Sequence, residues 1–391
     1  MHERTQAYLR GRFGDHYRRQ EITPPPAANE REWGYVPWTQ GPGETYVRHN
    51  SLLDLGNIDD FLARERPKHV YYSAGRYDDP SATAMGEKGW RRSDLIFDLD
   101  ADHLPSTGPE DSYASMLADC KDALFRLLDF LEDDFGFEEL TVVFSGSRGY
   151  HVHVRDGTIQ ELESDGRREI VDYVRGIGLQ FDELIDEETV AGTAGRETPA
   201  ENLYLPTDGG WGGRIHERLY TVMREIREMD ETEALDRLQQ YDGIGKGKAQ
   251  AAYNLARDRF VEIERGNLSA HAVFKQLAEE FTPAVVAEQN AQIDEPVTTD
   301  TNRLIRLPGS LHGGSGLAVR KIPRDELDEF DPLLDAVPET FRGHEIVVDV
   351  TGGGTVELGG DSFTLAEGEY SVPEYVGVFM MTRGRAEKGE E

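Results

Sequence analysis

Lysine is nearly missing from this chain. Only 8 of its 42 basic residues are lysine and 34 are arginine, against 75 aspartates and glutamates. The formal net charge of −33 excludes a diffuse basic surface as the means of holding a polyanion, because neutralising phosphates carries much of such an affinity. Acidic, lysine-poor surfaces keep proteins soluble in concentrated salt, where self-repulsion is screened. The acidity therefore reads as adaptation to a halophile cytoplasm and carries no information about the ligand. Cysteine is scarcer still: Cys120 stands alone, which excludes an internal disulfide framework and a cysteine-rich zinc site. No apolar run approaches the length that spans a bilayer, and the N-terminus lacks the charged-then-apolar pattern of a signal peptide. A cytoplasmic protein without a membrane partner is expected. Internal repeats are also absent. With 391 residues, the chain exceeds what one hydrophobic core usually organises, so two structural units are expected.

What is present alternates between helical and strand patterns. Residues 5–19 carry apolar residues at helical spacing, with Thr5 as candidate N-cap. Pro24–Pro26 interrupt that pattern, and Arg31–Trp38 reads as a strand. A short helix over Leu52–Arg66 and a strand at Val70–Ser73 follow. Asp111–Asp134 has a long helical period. Leu140–Phe144 and Tyr150–Val154 read as strands joined by the tight turn Ser145-Gly-Ser-Arg-Gly149, hence a hairpin. From Gly209 to Asn290 the chain is helix after helix. Within it, Tyr241–Ala249 reads either as a helix-hairpin-helix turn that binds a nucleic-acid phosphate or as a plain glycine-capped connection. Strand signals return after Asp294, and residues 385–391 read as a disordered charged tail.

Three stretches carry the chemistry. In Ser93–His103 the run Leu95–Leu99 is a buried strand, and alternation points Asp98 and Asp100 the same way. Two neighbouring carboxylates repel unless a cation sits between them, and oxygen donors suit Mg²⁺ or Mn²⁺. In the hairpin turn, Gly146 and Gly149 allow close backbone approach to an anion. Ser145 supplies a hydroxyl there, Arg148 a bidentate guanidinium and His151 a ring N–H. His153 shares the face of His151 and reads as a packing residue. The third stretch, Ile293–His312, adds a third acid, Asp294, with Arg303, Arg306 and His312. Three carboxylates with guanidinium and imidazole groups suit polyphosphate chemistry at two metal ions.

Phe97-Asp-Leu-Asp100, Ser145-Gly-Ser-Arg-Gly-Tyr-His151 and Arg303-Leu-Ile-Arg-Leu-Pro-Gly-Ser-Leu-His312 together resemble the catalytic small subunit of archaeal and eukaryotic DNA primases. Shorter blocks agree: Arg31-Glu-Trp33, Arg48-His49, Val70–Tyr77 and Lys88-Gly-Trp90. The resemblance runs in order from residue 6 to about residue 325. It implies an α+β primase catalytic fold, two mixed β units around an acidic cleft, with a helical insertion. Residues 1–208 and 291–384 would form the discontinuous catalytic domain and 209–290 the insertion. Asp98, Asp100 and Asp294 would be the catalytic metal ligands for two divalent cations, Mg²⁺ or Mn²⁺, that activate the primer-end 3′-hydroxyl and stabilise the departing pyrophosphate. Ser145, Arg148, His151, Arg306 and His312 would bind the nucleotide, the last four neutralising its triphosphate. The implied partners are single-stranded DNA template, nucleoside triphosphates and an iron–sulfur large subunit. One departure stands out. The family's zinc knuckle follows the acidic strand, but Leu104–Asp119 holds no Cys or His, so no zinc is expected. Two alternatives use similar residues: a repair or gap-filling polymerase, and a metal-dependent phosphohydrolase or nuclease.

Overall fold

The computed structural model describes residues 1–390 except 40–42, 44, 105, 106, 109, 110 and 191–199. The chain divides into two compact units, one of residues 1–124, 138–171 and 292–391 and one of residues 125–137 and 172–291.

In the first unit, β-branched and aromatic runs form the strands. They are β1 (Trp33–Val36), β2 (Val47–Asn50), β3 (His69–Ser73), β4 (Gly75–Tyr77), β5 (Trp90–Ser93), β6 (Leu95–Asp100), β7 (Leu140–Phe144) and β8 (Gly149–Val154). The second unit carries the hairpin of β9 (Asp186–Val190) and β10 (Ala200–Tyr204), and the chain then returns to the first unit through β11 (Leu304–Arg306) and β12 (Arg320–Ile322). One four-stranded sheet has the order β11-β3-β1-β2 and the other β12-β7-β8-β6. Every pairing among the described strands is antiparallel. The architecture is thus mixed by its helices and not by strand direction.

The two sheets meet through apolar side chains. Ala74, Ile96, Val297 and Ile305 form one buried cluster, which pins β11 and the helix Glu295–Thr299 to the acidic strand. Tyr72 of β3 stacks on His153 of β8, 6.3 Å between ring centroids with planes 15° apart. Beneath the start of β6 lies a buried ionic knot. Arg31 forks onto both Asp94 oxygens at 3.0 Å, and Arg155 Nε adds a third contact at 2.9 Å. Arg167 donates to the carbonyls of Ser93 and Asp94. Charges so deeply buried persist only when paired and hydrogen-bonded, and here they fix where β6 begins.

The helical stretch expected at 209–290 lies in the second unit, which also takes in 125–137 and 172–208. Its helices Gly210–Glu228, Glu231–Leu238, Lys246–Asp258 and Ala272–Gln289 bury Trp211, Leu219, Met223, Leu255, Phe274 and Leu277. In the turn before Lys246, Lys248 Nζ folds back on the Gly243 carbonyl and Gln276.

Two expectations are corrected. Thr5 is not an N-cap: the first helix runs Glu3–Arg19 from His2, and the buried Thr5 hydroxyl donates to Glu387. The expected disordered tail is, through residue 390, ordered. Its strand Ala386–Lys388 pairs with Glu345–Val350, and Lys388 N–H bonds the Thr5 hydroxyl at 2.8 Å. Glu387 also binds the N-terminal ammonium at 3.2 Å. The charges that read as solvated are consumed in tying the chain ends together.

Candidate active site

The acidic strand is buried on its Leu95, Ile96, Phe97 and Leu99 side chains, while Asp98 and Asp100 are half-buried. In the antiparallel register Asp98 opposes His151 and Asp100 opposes Gly149. Directly opposed residues bring their side chains together, and His151 Nε2 lies 3.3 Å from Asp98 Oδ1. Burial pushes the Asp98 carboxyl up, but His151 together with the charges of Arg306 and Arg303 outweighs it and holds the group below the usual carboxylate range. The simple repulsion expected from two carboxylates is thus offset in the free protein by cations and a ring N–H.

Asp294 is carried to this strand by the backbone, its N–H donating to the Asp98 carbonyl at 2.9 Å. It sits at the N-cap of Glu295–Thr299 without capping it through its side chain, so its carboxylate is not committed to the helix. Asp100 Oδ1 accepts the Asp102 N–H at 3.1 Å. Among the described residues no group of three or more His, Cys, Asp or Glu side chains is gathered to hold a metal ion. The three backbones are nevertheless tied together, and three carboxylates are the donor set that hard divalent cations select. In kind, the residues fit such a cation. Cys120 is no candidate ligand: its thiol touches the Leu99 carbonyl, and burial, then the charges of Asp100 and Asp98, push it up to about 12. Part of the stretch where a zinc knuckle would stand, residues 105, 106, 109 and 110, lies outside the described residues.

The hairpin turn is placed by two close approaches. A side chain at Gly149 would meet the Leu99 carbonyl at 1.7 Å, and one at Gly146, where φ is +81°, would meet His312 Cβ at 2.7 Å. Only glycine allows both. The turn is therefore pressed between the acidic strand and the His312–Gly316 loop, with Ser315 donating to the Gly146 carbonyl. Ser145 is buried, its N–H bonded to the Gly149 carbonyl at 2.9 Å. From behind, the Tyr113 hydroxyl donates to the Ser147 carbonyl. Arg148 projects forward, but not freely: Nη1 is 2.6 Å from Asp102 and Nε 3.7 Å from Asp100.

A cleft of about 560 Å³ opens beside Asp98 and His151. Arg303, Arg306 and Arg48 line it with Tyr46, Tyr71, Asp300 and Asn302. Arg306 stands opposite Tyr71 in the ladder, with its guanidinium 5.7 Å from the ring centroid and its Nε buried without a hydrogen-bond partner. Arg48 is steadied by buried Glu32 at 3.1 Å, which also takes Lys88 at 2.6 Å. Burial raises the Glu32 carboxyl, yet hydrogen bonds and charge from Lys88 and Arg48 lower it overall. This explains the otherwise unassigned Glu32, Arg48 and Lys88 blocks of the sequence.

Of the nucleotide-binding candidates, Arg306 and His151 line the cleft, whereas Ser145, Arg148 and His312 stand in or against the adjoining turn. His312 differs from expectation. Burial, then the charges of Arg306, His69 and Lys68, drive it well below the usual imidazole range, and its Nδ1 accepts the Gly314 N–H at 3.2 Å. In the free protein it is a neutral hydrogen-bonding group and brings no positive charge. His69, packed edge-on against it with 4.9 Å between centroids, is pushed down to about 3 by burial and by Arg306 and Lys68. Sequence reasoning assigned no site role to Asp102, His69, Tyr46, Tyr71, Asp300 and Asn302. Their only signal was proximity to the motifs, Asp102 two residues beyond Asp100 and Asn302 one before Arg303.

A family model described as DNA primase small subunit matches residues 97–324. Across the whole of both chains the sequence is 69% identical to a protein of Haloarcula marismortui named DNA primase small subunit PriS. Proteins of the same name from Halobacterium salinarum and Methanococcoides burtonii are 59% and 40% identical, again over the full length of both chains.

Proposed function

The chain belongs to the DNA primase small subunit family, and on that premise we propose that it is the catalytic subunit that synthesises short RNA or DNA primers on single-stranded DNA from nucleoside triphosphates. The observation that carries the reading is the opposition of Asp98 and His151 at the edge of a cleft that also collects Arg48, Arg303 and Arg306. A cleft that joins Asp98 to three guanidinium groups fits a polyphosphate and not a lone phosphate, which favours a nucleotidyltransferase over a phosphohydrolase.

Asp98, Asp100 and Asp294 are the residues to hold two divalent cations, Mg²⁺ or Mn²⁺, which supply charge neutralisation at the reacting phosphate. Arg306 is preorganised against Tyr71 to meet phosphate oxygens with a planar fork. Arg148 joins once it leaves Asp102. His151 orients the Asp98 carboxylate, and neutral His312 donates from Nε2, its Nδ1 being occupied. Glycine at 149 and 146 brings the backbone of the turn close enough to cradle an anion. The residues proposed here for catalysis all fall within the first compact unit, and the proposed setting is a complex with a primase large subunit in a halophile's cytoplasm.

Extension and initiation on single-stranded template, with and without the large subunit in molar KCl, test the reading. Asp98→Ala, Asp100→Ala and Asp294→Ala should each abolish incorporation with unchanged circular dichroism. Normal extension by any of them at saturating Mn²⁺ would overturn the assignment of that residue, and no incorporation by the wild-type complex would overturn the reading as a whole.

A further inference from the structure

A second cleft, of about 810 Å³, lies in the first unit and shares no lining residue with the first. One wall is the segment Ile22–Pro26, whose three consecutive prolines present flat apolar faces. Val337 and Pro338 stand among the other lining residues, with Thr141 and Tyr72 of the two sheets. Arg19, Arg320 and Lys321 also line it. All three are exposed, and among the described residues none makes an ion pair with a carboxylate.

In a chain with 75 acids and 42 bases, unpaired cations are out of keeping with their surroundings, and three converge on one cleft. Three acids also line it and offset them only in part: Glu21 is exposed and makes no ion pair among the described residues, so it answers one of the three. Asp335 accepts the Asp331 N–H at 2.7 Å, and Glu339 pairs with Arg342 at 3.4 Å. The fourth cation, Arg155, is already held by Asp94 and Thr141. What remains is a pocket of small-ligand size with an apolar, planar wall and a surplus of one positive charge, Arg19, Arg320 and Lys321 standing against Glu21 and Asp335. A flat ring on a short anionic chain satisfies both halves at once.

We propose that this cleft is a binding site for a single nucleoside phosphate, separate from the catalytic cleft, with its ring against Pro24–Pro26 and its phosphates on Arg320, Lys321 and Arg19. The site depends on no catalytic residue, so it stands or falls independently of the activity proposed above.

Equilibrium dialysis of the full chain against labelled ATP in molar KCl with Mg²⁺ tests it. The wild type should bind two ATP per chain. Arg320→Glu/Lys321→Glu should lose one of them, weakening that class at least tenfold, and Arg306→Ala should affect the other. Arg320→Gln/Lys321→Gln, which removes charge without adding acid, should weaken the same class. Primer extension by the Gln pair should be unchanged at saturating nucleotide. Two sites both indifferent to the 320/321 substitutions, or one site lost only in Arg306→Ala, would overturn the proposal. So would a 320/321 effect on the binding of a single-stranded oligonucleotide with none on ATP, which would make the cleft part of a strand path. Inorganic phosphate displacing ATP from this class as well as GTP does would remove the nucleoside from the assignment and overturn it too.

Discussion

Arg148 Nη1 and Asp102 Oδ2 lie 2.6 Å apart, so an arginine proposed to meet the triphosphate is already paired with an acid. Both side chains are about two-fifths exposed, and a pair so exposed contributes only ~0.2–1 kcal/mol. The latch is therefore weak enough for a substrate phosphate to displace.

Asp102→Asn removes that competitor. Apparent nucleotide KM should fall, by up to about fivefold given the strength of such pairs, with kcat unchanged. Steady-state extension kinetics read this directly. A rise in KM would mean that Asp102 serves nucleotide binding itself and not merely the resting position of Arg148.

The depressed Asp98 carboxyl links the site to acid stability. Its folded value lies below the ordinary 3.8, so the stabilisation it brings is present above that value and is lost as pH falls through the lower folded one. Thermal unfolding of wild type and Asp98→Asn should therefore differ at neutral pH, with the wild type more stable, and converge in strongly acidic buffer. This reverses what repulsion between Asp98 and Asp100 alone would give. A more stable Asp98→Asn in metal-free buffer at neutral pH would show that repulsion wins over His151, Arg303 and Arg306.

Glu32 is buried between Lys88 and Arg48. Glu32→Gln leaves the buried Lys88 ammonium without its counter-charge, and breaking such a pair costs about 3–5 kcal/mol. Denaturant unfolding should show a loss of that order. Arg48, freed from its anchor in the cleft wall, should give a higher nucleotide KM in whatever folded fraction remains. A loss under about 1 kcal/mol would indicate that Lys88 finds another partner.

In molar salt the screening length falls to about 3 Å, so charge at a distance counts for little and geometry for much. Arg148→Lys and Arg306→Lys keep the charge but lose the planar fork. Nucleotide KM should rise nearly as far as in the alanine variants, with template affinity little changed. For Arg306 the stacking against Tyr71 is lost too. Wild-type kinetics in both lysine variants at high KCl would show that charge alone suffices.

Much of this protein was legible in one dimension because its information is local. Alternation alone put Asp98 and Asp100 on one face of β6, and the glycine-bearing turn between two β-branched runs specified the β7–β8 hairpin. Residue chemistry named the acids and arginines. The tertiary structure decided what those groups face. That Asp98 opposes His151 is a matter of register between strands some fifty residues apart, and that Asp294 joins them rests on one backbone hydrogen bond and the Ile96–Val297–Ile305 contact. Burial made His312 and His69 neutral, which no residue name encodes, because the cost of charging an imidazole is set by the solvent it has lost. Glu32 and Asp94 had no assigned role within their motif blocks, and Ala386–Lys388 read as part of a disordered charged tail. Only the fold, by removing water from some of these charges and pairing them, separated the ones that hold the structure from the ones that keep it dissolved.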